Sequence, residues 1–449
     1  MIQDYAKKSV NDEATAYVKG NVKAKNQMAE LEEHLNLPTS YERLKALKEL
    51  MSLYKSGEIE LPPQGNNVNN HIHTTYSFSP YSPTMAAYLA WKNGLATAGI
   101  MDHDSVGGLK EFIEAGQIIG IKVTVGFEFR CSFEDTKFAG KRINNPDQKS
   151  IAYLAMHGIP HHKIDEAESF LRPYREKRNA RNRLMVDKLN RYIRKSELAL
   201  DFNKDVMTLS QYQDGGTITE RHILYALAGK ILDKVAKGPS VPIFLYDNFG
   251  IKVTGSNLSK LNNPDTLWYQ YYLLGELKAN FVEKFYIDAT DELPSYKDFI
   301  TLGKSLGAIP AYPYLGDVQD SVTGDKKSQK FEDDYLDEWV AFIKDAGFKA
   351  ITYMPTRNTK EQVRRMVMLC NKYQLFQICG EDINSPFQPF ICQALEEEEF
   401  RHLITAAWAL IGHENSLDGM FKEGTPLANK SLEERIDYFA NIGMNLSRN

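Results

Sequence analysis

The sequence NHIHTTYS, at residues 70–77, places His71 and His73 one residue apart, directly after a segment with strand character at residues 68–70. Side chains at positions i and i+2 of a strand point to the same side, so the two imidazoles can reach one point together. Neutral imidazole is a common ligand for zinc, iron, nickel or copper, and manganese joins this set when carboxylates are present. A His-x-His pair also occurs by chance, so a metal site needs further donors.

The composition is typical of a soluble globular protein. The chain has 449 residues, of which 43% are hydrophobic and 25% are charged, a length that predicts two or three units or one elaborated α/β barrel. The net charge of −5 and the lack of a long basic tract give no footprint for a stable nucleic-acid complex, although a nucleotide stays open as a substrate.

The compartment is predicted to be the cytoplasm. The first residues lack the apolar core of a signal peptide, and no run of about 18 apolar residues suggests a membrane partner. The cysteines show no C-x-x-C spacing and are expected to be buried thiols in a reducing compartment; they are Cys131, Cys370, Cys379 and Cys392.

Strands and helices alternate in two stretches of the chain, which predicts parallel strands joined by right-handed crossovers. Helices are expected at Pro83–Asn93, capped by Ser82, and at Val106–Ile119. The predicted strands are Val68–His73, Thr97–Met101, Ile121–Val125, Ile151–Met156, Gly307–Ala311, Phe348–Tyr353 and Leu375–Cys379. Polar residues follow these strands, at the rim where barrels of this kind build their chemistry.

The chain is expected to divide into an N-terminal helical arm (1–64), a first barrel part (65–164), a mostly helical insertion (165–300) and a second barrel part with C-terminal helices (301–449). The arm, with a cap at Asn11–Glu13, either packs on the barrel or binds a partner. Gly238–Gly255 is expected to be turn-rich, and a tail helix is expected over Glu396–Ile411.

The polar residues at the predicted strand ends combine imidazoles with carboxylates, as a divalent metal site requires. They are His71, His73, Asp102, His103, Asp104, Glu128, His157, Glu381, Asp382 and Asn384. Each one alone is a weak signal, whereas the ordered set is much stronger.

This ordered set resembles the PHP (polymerase and histidinol phosphatase) superfamily. The motifs that carry the resemblance are HIHTTYS at 71–77, GIMDHDS at 99–105, VGFE at 125–128 and GEDIN at 380–384. The resemblance implies an α/β fold, a distorted (β/α)7 TIM-like barrel with N-terminal helices and a helical insertion that includes residues 220–227. It also implies a phosphoesterase that binds one to three metals.

The resemblance implies one intact metal position, made by His71, His73, Glu128 and Asp382. His103 would act as a base or as a ligand of a second metal. His157 would replace a ligand that is not in clear register. The expected cofactor is a divalent metal, zinc, manganese or iron, with one ion expected and a second or third left open.

Three residues depart from the family pattern. Phe78 stands where the family has an aspartate, and Tyr312 and Asn384 stand where it has histidines. Tyr312 is expected to donate a hydrogen bond in place of a ligand, while Arg130 and Arg357 are expected to hold the phosphate by paired donors.

The function predicted first is a metal-dependent phosphoesterase that acts on a small phosphorylated metabolite or nucleotide. Two alternatives stay open. The lost ligands favour a barrel that binds metal or a phosphorylated ligand without turnover, and a single metal would also suit an amidohydrolase-like hydrolase. The sequence does not decide the substrate or the oligomeric state.

Overall fold

Seven strands pair in the order in which they occur in the chain. A computed structural model describes residues 24–194, 197–317 and 330–446, so the predicted cap at Asn11–Glu13 lies outside the described residues. The seven predicted strands are all present, with shifted ends. They are β1 (Val68–Ile72), β2 (Thr97–His103), β3 (Lys122–Ser132), β4 (Ile151–His157), β5 (Ile309–Pro313), β6 (Ala350–Tyr353) and β7 (Phe376–Cys379).

The sheet is nearly closed, and one of its strands runs against its neighbours. Strands β1–β3 and β5–β7 are parallel, as predicted, but β4 is antiparallel to both β3 and β5. The expectation of parallel strands is wrong for β4 because residues 133–150 contain no crossover helix, so the chain returns directly beside β3. A parallel bridge between Ile72 and Ile383 ties β1 to the segment after β7. The result is a distorted seven-stranded barrel.

Helices surround this barrel, and their caps explain several of their ends. Ser82 accepts a hydrogen bond from the backbone N–H of Met85, and Pro83 occupies the first helical position of α3, as predicted. The helices are α1 (which includes residues 24–34), α2 (Ser40–Lys55), α3 (Pro83–Lys92), α4 (Leu109–Ile119), α5 (Ile164–Ile193), α6 (Glu220–Lys234), α7 (Ser240–Phe249), α8 (Gly255–Asn262), α9 (Tyr269–Phe285), α10 (Tyr296–Leu306), α11 (Leu336–Asp345), α12 (Lys360–Tyr373), α13 (His402–Glu414) and α14 (Leu432–Leu446).

The N-terminal helices pack on the barrel helices. Arg43 of α2 donates to both carboxylate oxygens of Glu111 on α4, with an Nε–Oε1 distance of 2.8 Å, and both side chains are buried. Leu47 and Leu50 of α2 are fully buried, and such burial stabilises by about 1.5–3 kcal/mol for each side chain. These contacts agree with the packing alternative for this part of the arm.

The insertion has a hydrophobic core of its own. Buried side chains from α5, α6 and α9 meet there, among them Leu189, Leu224 and Leu273. The expectation that Gly238–Gly255 is turn-rich is wrong, since α7 occupies its centre and buries Val241 and Leu245. Phe78, in the loop after β1, packs into the same core and so joins the insertion to the barrel.

The C-terminal helices close one side of the barrel. The predicted helix at Glu396–Ile411 begins only at His402, because the preceding glutamates lie around short 3-10 turns that bury Leu395 and Phe400. Helices α13 and α14 approach closely at Gly412, where a Cβ atom would lie 1.9 Å from the carbonyl oxygen of Phe439. Among the described residues, no helix is long and apolar enough to cross a membrane.

Candidate metal centre

His71 and His73 come from the end of β1 and point to the same side, as the sequence predicts. Both side chains are buried, and their Nε2 atoms lie 3.2 Å apart. His73 follows the last residue of β1, and its backbone N–H donates to the carbonyl oxygen of Ile383. The closure of the barrel therefore fixes the position of the second histidine.

Glu128 brings a carboxylate to this pair from β3. Its Oε1 lies 3.3 Å from Nε2 of His71, and its Oε2 lies 3.9 Å from Nε2 of His73. The expectation that β3 ends at Val125 is wrong, because pairing with β4 extends the strand to Ser132. Glu128 thus projects from within a strand, which holds its backbone more firmly than a loop would.

Asp382 approaches from the loop after β7. Its Oδ1 lies 3.2 Å from Nε2 of His73 and accepts a hydrogen bond from Nδ2 of Asn384 at 2.8 Å. Asn384 in turn accepts from Nη1 of Arg221 on α6, at 2.8 Å. Asn384, which stands where the family has a histidine, therefore orients the carboxylate and links it to the insertion.

The donor distances fit one metal ion. Ligand atoms that lie about 2.1 Å from a common ion lie roughly 3–3.5 Å from one another. The ligand atoms of His71, His73 and Glu128 lie within 4.8 Å of one another, and Asp382 adds a fourth donor beside His73. Two imidazoles and two carboxylates suit zinc, manganese or iron.

The charges of these four groups depend on one another. Burial lowers the pKa of His71, but the charge of Glu128 and the hydrogen bond that His71 donates to it dominate and raise that pKa to about 9. Burial raises the pKa of Glu128, but the charge of His71 and contacts with His103 hold it well below the usual value. Without metal, Glu128 is therefore ionised and His71 carries a proton.

His73 and Asp382 are already in the form that binds metal. Burial, with the charge of His103, lowers the pKa of His73 and favours the neutral imidazole. Desolvation raises the pKa of Asp382, but the hydrogen bond with His73 and the charge interactions with His73 and His71 together outweigh it and keep the pKa below the usual range. Only His71 must lose a proton before the centre can take a cation.

A hydrogen-bonded chain behind His73 fixes the orientation of its ring. Nδ1 of His73 lies 3.3 Å from the hydroxyl of Ser77, which donates to Oδ1 of Asp102 at 2.6 Å. Asp102 also accepts from the backbone N–H of Thr74 at 2.6 Å. Such partners of a ligating histidine set its tautomer and raise its basicity. This role of Ser77 was not predicted, although the residue lies in the motif at 71–77.

His103 and His157 flank the centre. Nδ1 of His103 lies 3.0 Å from Oε2 of Glu128, its ring lies 4.5 Å from that of His73, and its side chain is 27% exposed. His157 is buried at the end of β4, and burial lowers its pKa to about 3. Its Nε2 atom has no hydrogen-bond partner within the described ranges. The Nε2 atom of His157 is therefore free to bind a metal ion, but His157 does not belong to the close group formed by His71, His73 and Glu128.

The other predicted site residues contact different partners. Arg130 donates to Glu292, and Tyr312 donates to Oε1 of Glu332 at 2.6 Å. Arg357 donates to the carbonyl oxygen of Leu315, and burial lowers its pKa, although Asp382 and Glu332 act on it in the opposite direction.

Two residues that contact predicted positions had no prediction of their own. Arg221 contacts Asn384. The sequence feature that could have identified it is the stretch 220–227, which resembles the family's helical insertion. Glu332 is buried, its pKa is raised to about 7 by burial, and Tyr312 donates to it. No sequence pattern separates Glu332 from the exposed acidic residues beside it. Phe78, which replaces the family's aspartate, contacts the ring of His222 at 4.9 Å instead of the centre.

Comparison with known proteins agrees with the sequence motifs. Residues 69–237 match the family model of the PHP domain. A comparison with curated proteins finds no match. Among solved structures, a candidate metal-dependent phosphoesterase from Bifidobacterium adolescentis is similar, with 20% identity, a TM-score of 0.49 and coverage of 78% of this chain and 98% of that one. An amidohydrolase from Chromobacterium violaceum, with bound sulfate and no metal, gives 17% identity, a TM-score of 0.47 and coverage of 73% and 90%.

The matched segment contains three of the four motifs, at 71–77, 99–105 and 125–128, and therefore three of the four proposed ligands. This match supports the interpretation that the protein is a metal-dependent hydrolase. The predicted resemblance to the PHP superfamily is confirmed over residues 69–237 of this chain.

Proposed function

We propose that this protein is a metal-dependent phosphoesterase that acts on a small phosphorylated metabolite or nucleotide. The observation that carries the proposal is the convergence of two imidazoles and two carboxylates from three separate segments, with distances of 3.2, 3.2 and 3.3 Å between neighbouring donors. Burying this many ionisable groups is unfavourable unless a partner compensates them. A cation held by His71, His73, Glu128 and Asp382 is that partner.

The proposed cofactor is one zinc, manganese or iron ion. When bound, a divalent metal supplies Lewis acidity toward a phosphoryl oxygen and lowers the pKa of a coordinated water. The chain's own contribution is to orient His73 through Ser77 and Asp102, and to keep both carboxylates ionised.

His103 is the proposed proton carrier. It is the partly exposed histidine of the cluster, and its Nδ1 contacts Glu128 at 3.0 Å. A carboxylate partner of this kind holds an imidazole in one orientation. Its other ring nitrogen can then exchange a proton with the substrate or the leaving group.

Arg357 and Arg221 are the proposed phosphate-binding residues. A guanidinium has five N–H donors, and each of these residues has a protein acceptor for only part of that set: the carbonyl oxygen of Leu315 for Arg357, and Asn384 for Arg221. Nε of Arg221 is buried without a partner among the described residues. Arg130, which was also predicted to bind phosphate, is neutralised by Glu292 and is the weaker candidate.

The test combines metal content with turnover. Protein purified without chelator is measured by elemental analysis, and a panel of phosphoesters is assayed with added zinc, manganese or iron. We expect close to one equivalent of metal, lost in His71→Ala and Asp382→Ala together with phosphoester hydrolysis. His162→Ala, at an exposed histidine, is the matched control and keeps both.

The same experiment separates the alternatives. Tight binding of a phosphorylated compound without turnover would identify a binding protein. Turnover of amides but not of phosphoesters would identify an amidohydrolase-like enzyme. Absence of metal after soaking would overturn the proposal.

A further inference from the structure

A cleft lined by aromatic side chains lies on the insertion. It has two parts, of about 400 and 580 Å³, which share residues 265–268. Small-molecule sites typically fall in this range of volume. Tyr271 lines the smaller part, Tyr272 and Phe387 line the larger part, and Trp268 lines both.

The larger part of the cleft borders the loop that supplies Asp382. Phe387 lies in that loop, and its ring centroid is 4.4 Å from that of Tyr272 on α9. The backbone N–H of Asn384 donates to the side chain of Gln388 at 2.8 Å, which holds the loop in place. The same short segment therefore contributes to the metal centre and to the cleft.

A second line of contacts joins the smaller part to the centre. The guanidinium of Arg221, which contacts Asn384, lies 5.1 Å from the ring centroid of Phe78. Phe78 lies 6.0 Å from Tyr271, and Tyr271 lies 5.9 Å from Trp268. Side-chain contacts thus continue from the rim of the metal centre into the cleft.

The backbone of Trp268 points to a ligand site. Its φ of 60° and ψ of 32° lie in the left-handed region, which is unfavourable for a residue other than glycine. Strained residues of this kind cluster at ligand-binding positions. The indole is 40% exposed and Phe387 is 47% exposed, so both present aromatic surface to a ligand.

The polar lining identifies the kind of ligand. Asn263, Thr266 and Gln270 provide amide and hydroxyl groups that can bind the edge of a ring. The ammonium groups of Lys260 and Lys237 lie 5.8 and 5.6 Å from the centroids of Tyr272 and Tyr269, so both cations rest on aromatic rings, and the carboxylate of Asp265 lines both parts of the cleft. Aromatic faces with polar edges suit a planar heteroaromatic ring.

We propose that this cleft binds the heteroaromatic base of a nucleoside monophosphate whose phosphate is hydrolysed at the metal centre. The inference rests on the proposed phosphoesterase function. In the reaction, the oxygen of water bonds to phosphorus, the bond from phosphorus to the sugar oxygen breaks, and that oxygen takes a proton. The products are a nucleoside and inorganic phosphate.

The first test compares substrates that differ only in the base. The kcat/KM values for adenosine, guanosine and uridine 5′-monophosphates are compared with that for ribose 5-phosphate. We expect a preference of at least about tenfold for the nucleotides, since each base stacked on an aromatic side chain contributes binding of that order. In Trp268→Ala and Phe387→Ala this ratio falls close to one. Tyr246→Ala, at an exposed tyrosine on α7, is the matched control and keeps the wild-type ratio.

The second test separates failure of the subsite from failure of the phosphoesterase. Adenosine, guanosine and uridine, which lack phosphate, are titrated by calorimetry into the wild type, Phe387→Ala and Asp382→Ala. Binding that survives Asp382→Ala and weakens about tenfold in Phe387→Ala supports the subsite, even where no phosphoester is hydrolysed. Hydrolysis without a base preference, together with no nucleoside binding, would overturn the subsite and leave the phosphoesterase intact.

Discussion

The early half of the barrel (strands β1–β3) and the late half (strands β5–β7) place their polar side chains differently. Strands β1–β3 bring His71, His73 and Glu128 to one point, and His103 and Ser77 support them. Strands β5–β7 instead direct polar groups toward one another, as when Tyr312 donates to Glu332. From this half Asp382, after the last strand, reaches the centre.

The difference shows how a barrel with few donor groups on one side can still bring together the donors of a candidate metal centre. A tyrosine in a ligand position takes part in a local hydrogen bond, and an asparagine in another orients the neighbouring carboxylate.

The largest expected effect is from Glu128→Gln in the early half. Loss of this carboxylate should remove the metal and lower phosphoester hydrolysis by roughly 10³-fold, because several kcal/mol of charge stabilisation is lost. Glu332→Gln, a buried carboxyl in the late half, should keep the metal. Elemental analysis and turnover of both variants provide the measurement. Equal loss of metal in both variants would contradict the proposed difference between the two halves of the barrel.

Metal affinity should depend strongly on pH. The pKa of His71 is raised to about 9, so below that pH a bound metal must displace a proton. Affinity should therefore rise about tenfold for each unit between pH 6 and 8, and level off as the pH passes about 9. Competition with a chelator of known proton affinity measures this slope. A flat profile would contradict the pairing of His71 with Glu128.

The Glu332→Gln substitution should also change how the stability of the protein depends on pH. Burial raises the folded-state pKa of Glu332 to about 7, so the folded chain holds a proton that the unfolded chain releases near its usual, lower pKa. The contribution of Glu332 to the stability of the wild type is therefore greatest at low pH and is lost as the pH rises through 7. The variant should gain a few kcal/mol relative to the wild type at pH 8, and this gain should vanish near pH 5. Thermal unfolding across this range tests the sign.

Ser77→Ala should have a smaller effect. Removing the hydroxyl between His73 and Asp102 should weaken metal binding by about 10–100-fold, as is usual for partners of ligating histidines. Tyr312→Phe, which removes a hydroxyl in the late half, should leave metal affinity unchanged. Chelator competition on the two variants makes the comparison. An effect of Tyr312→Phe as large as that of Ser77→Ala would place Tyr312 at the centre.

The strands were predictable because short apolar runs bounded by turns recur along the chain. The direction of β4 was not, since a return through the irregular residues 133–150 leaves no periodic signal. Helix α7 was hidden among turn-forming residues at 238–255. Local pattern therefore located the elements, whereas pairing between them depended on tertiary contacts.

The residues of the candidate metal centre were likewise predictable only in part. His71, His73 and Glu128 lie in short motifs, so residue types and spacing were enough to bring them together. Arg221 contacts Asn384 across 163 residues of sequence, and no local rule predicts such a contact. The Phe78 substitution was visible in the sequence, but its packing against His222 required the folded insertion.

The closure of the barrel beside the centre also sets when the site can form. The side chain of Asn69, two residues before the first ligand, donates to the backbone of Glu381, 312 residues later in the chain. At about 5–20 residues per second, a ribosome needs roughly 15–60 seconds to synthesise that interval. The opening histidines must therefore wait for almost the whole barrel before Asp382 joins them. Contacts of such long range also slow folding, so metal capture is expected to be a late event in the life of a newly made chain.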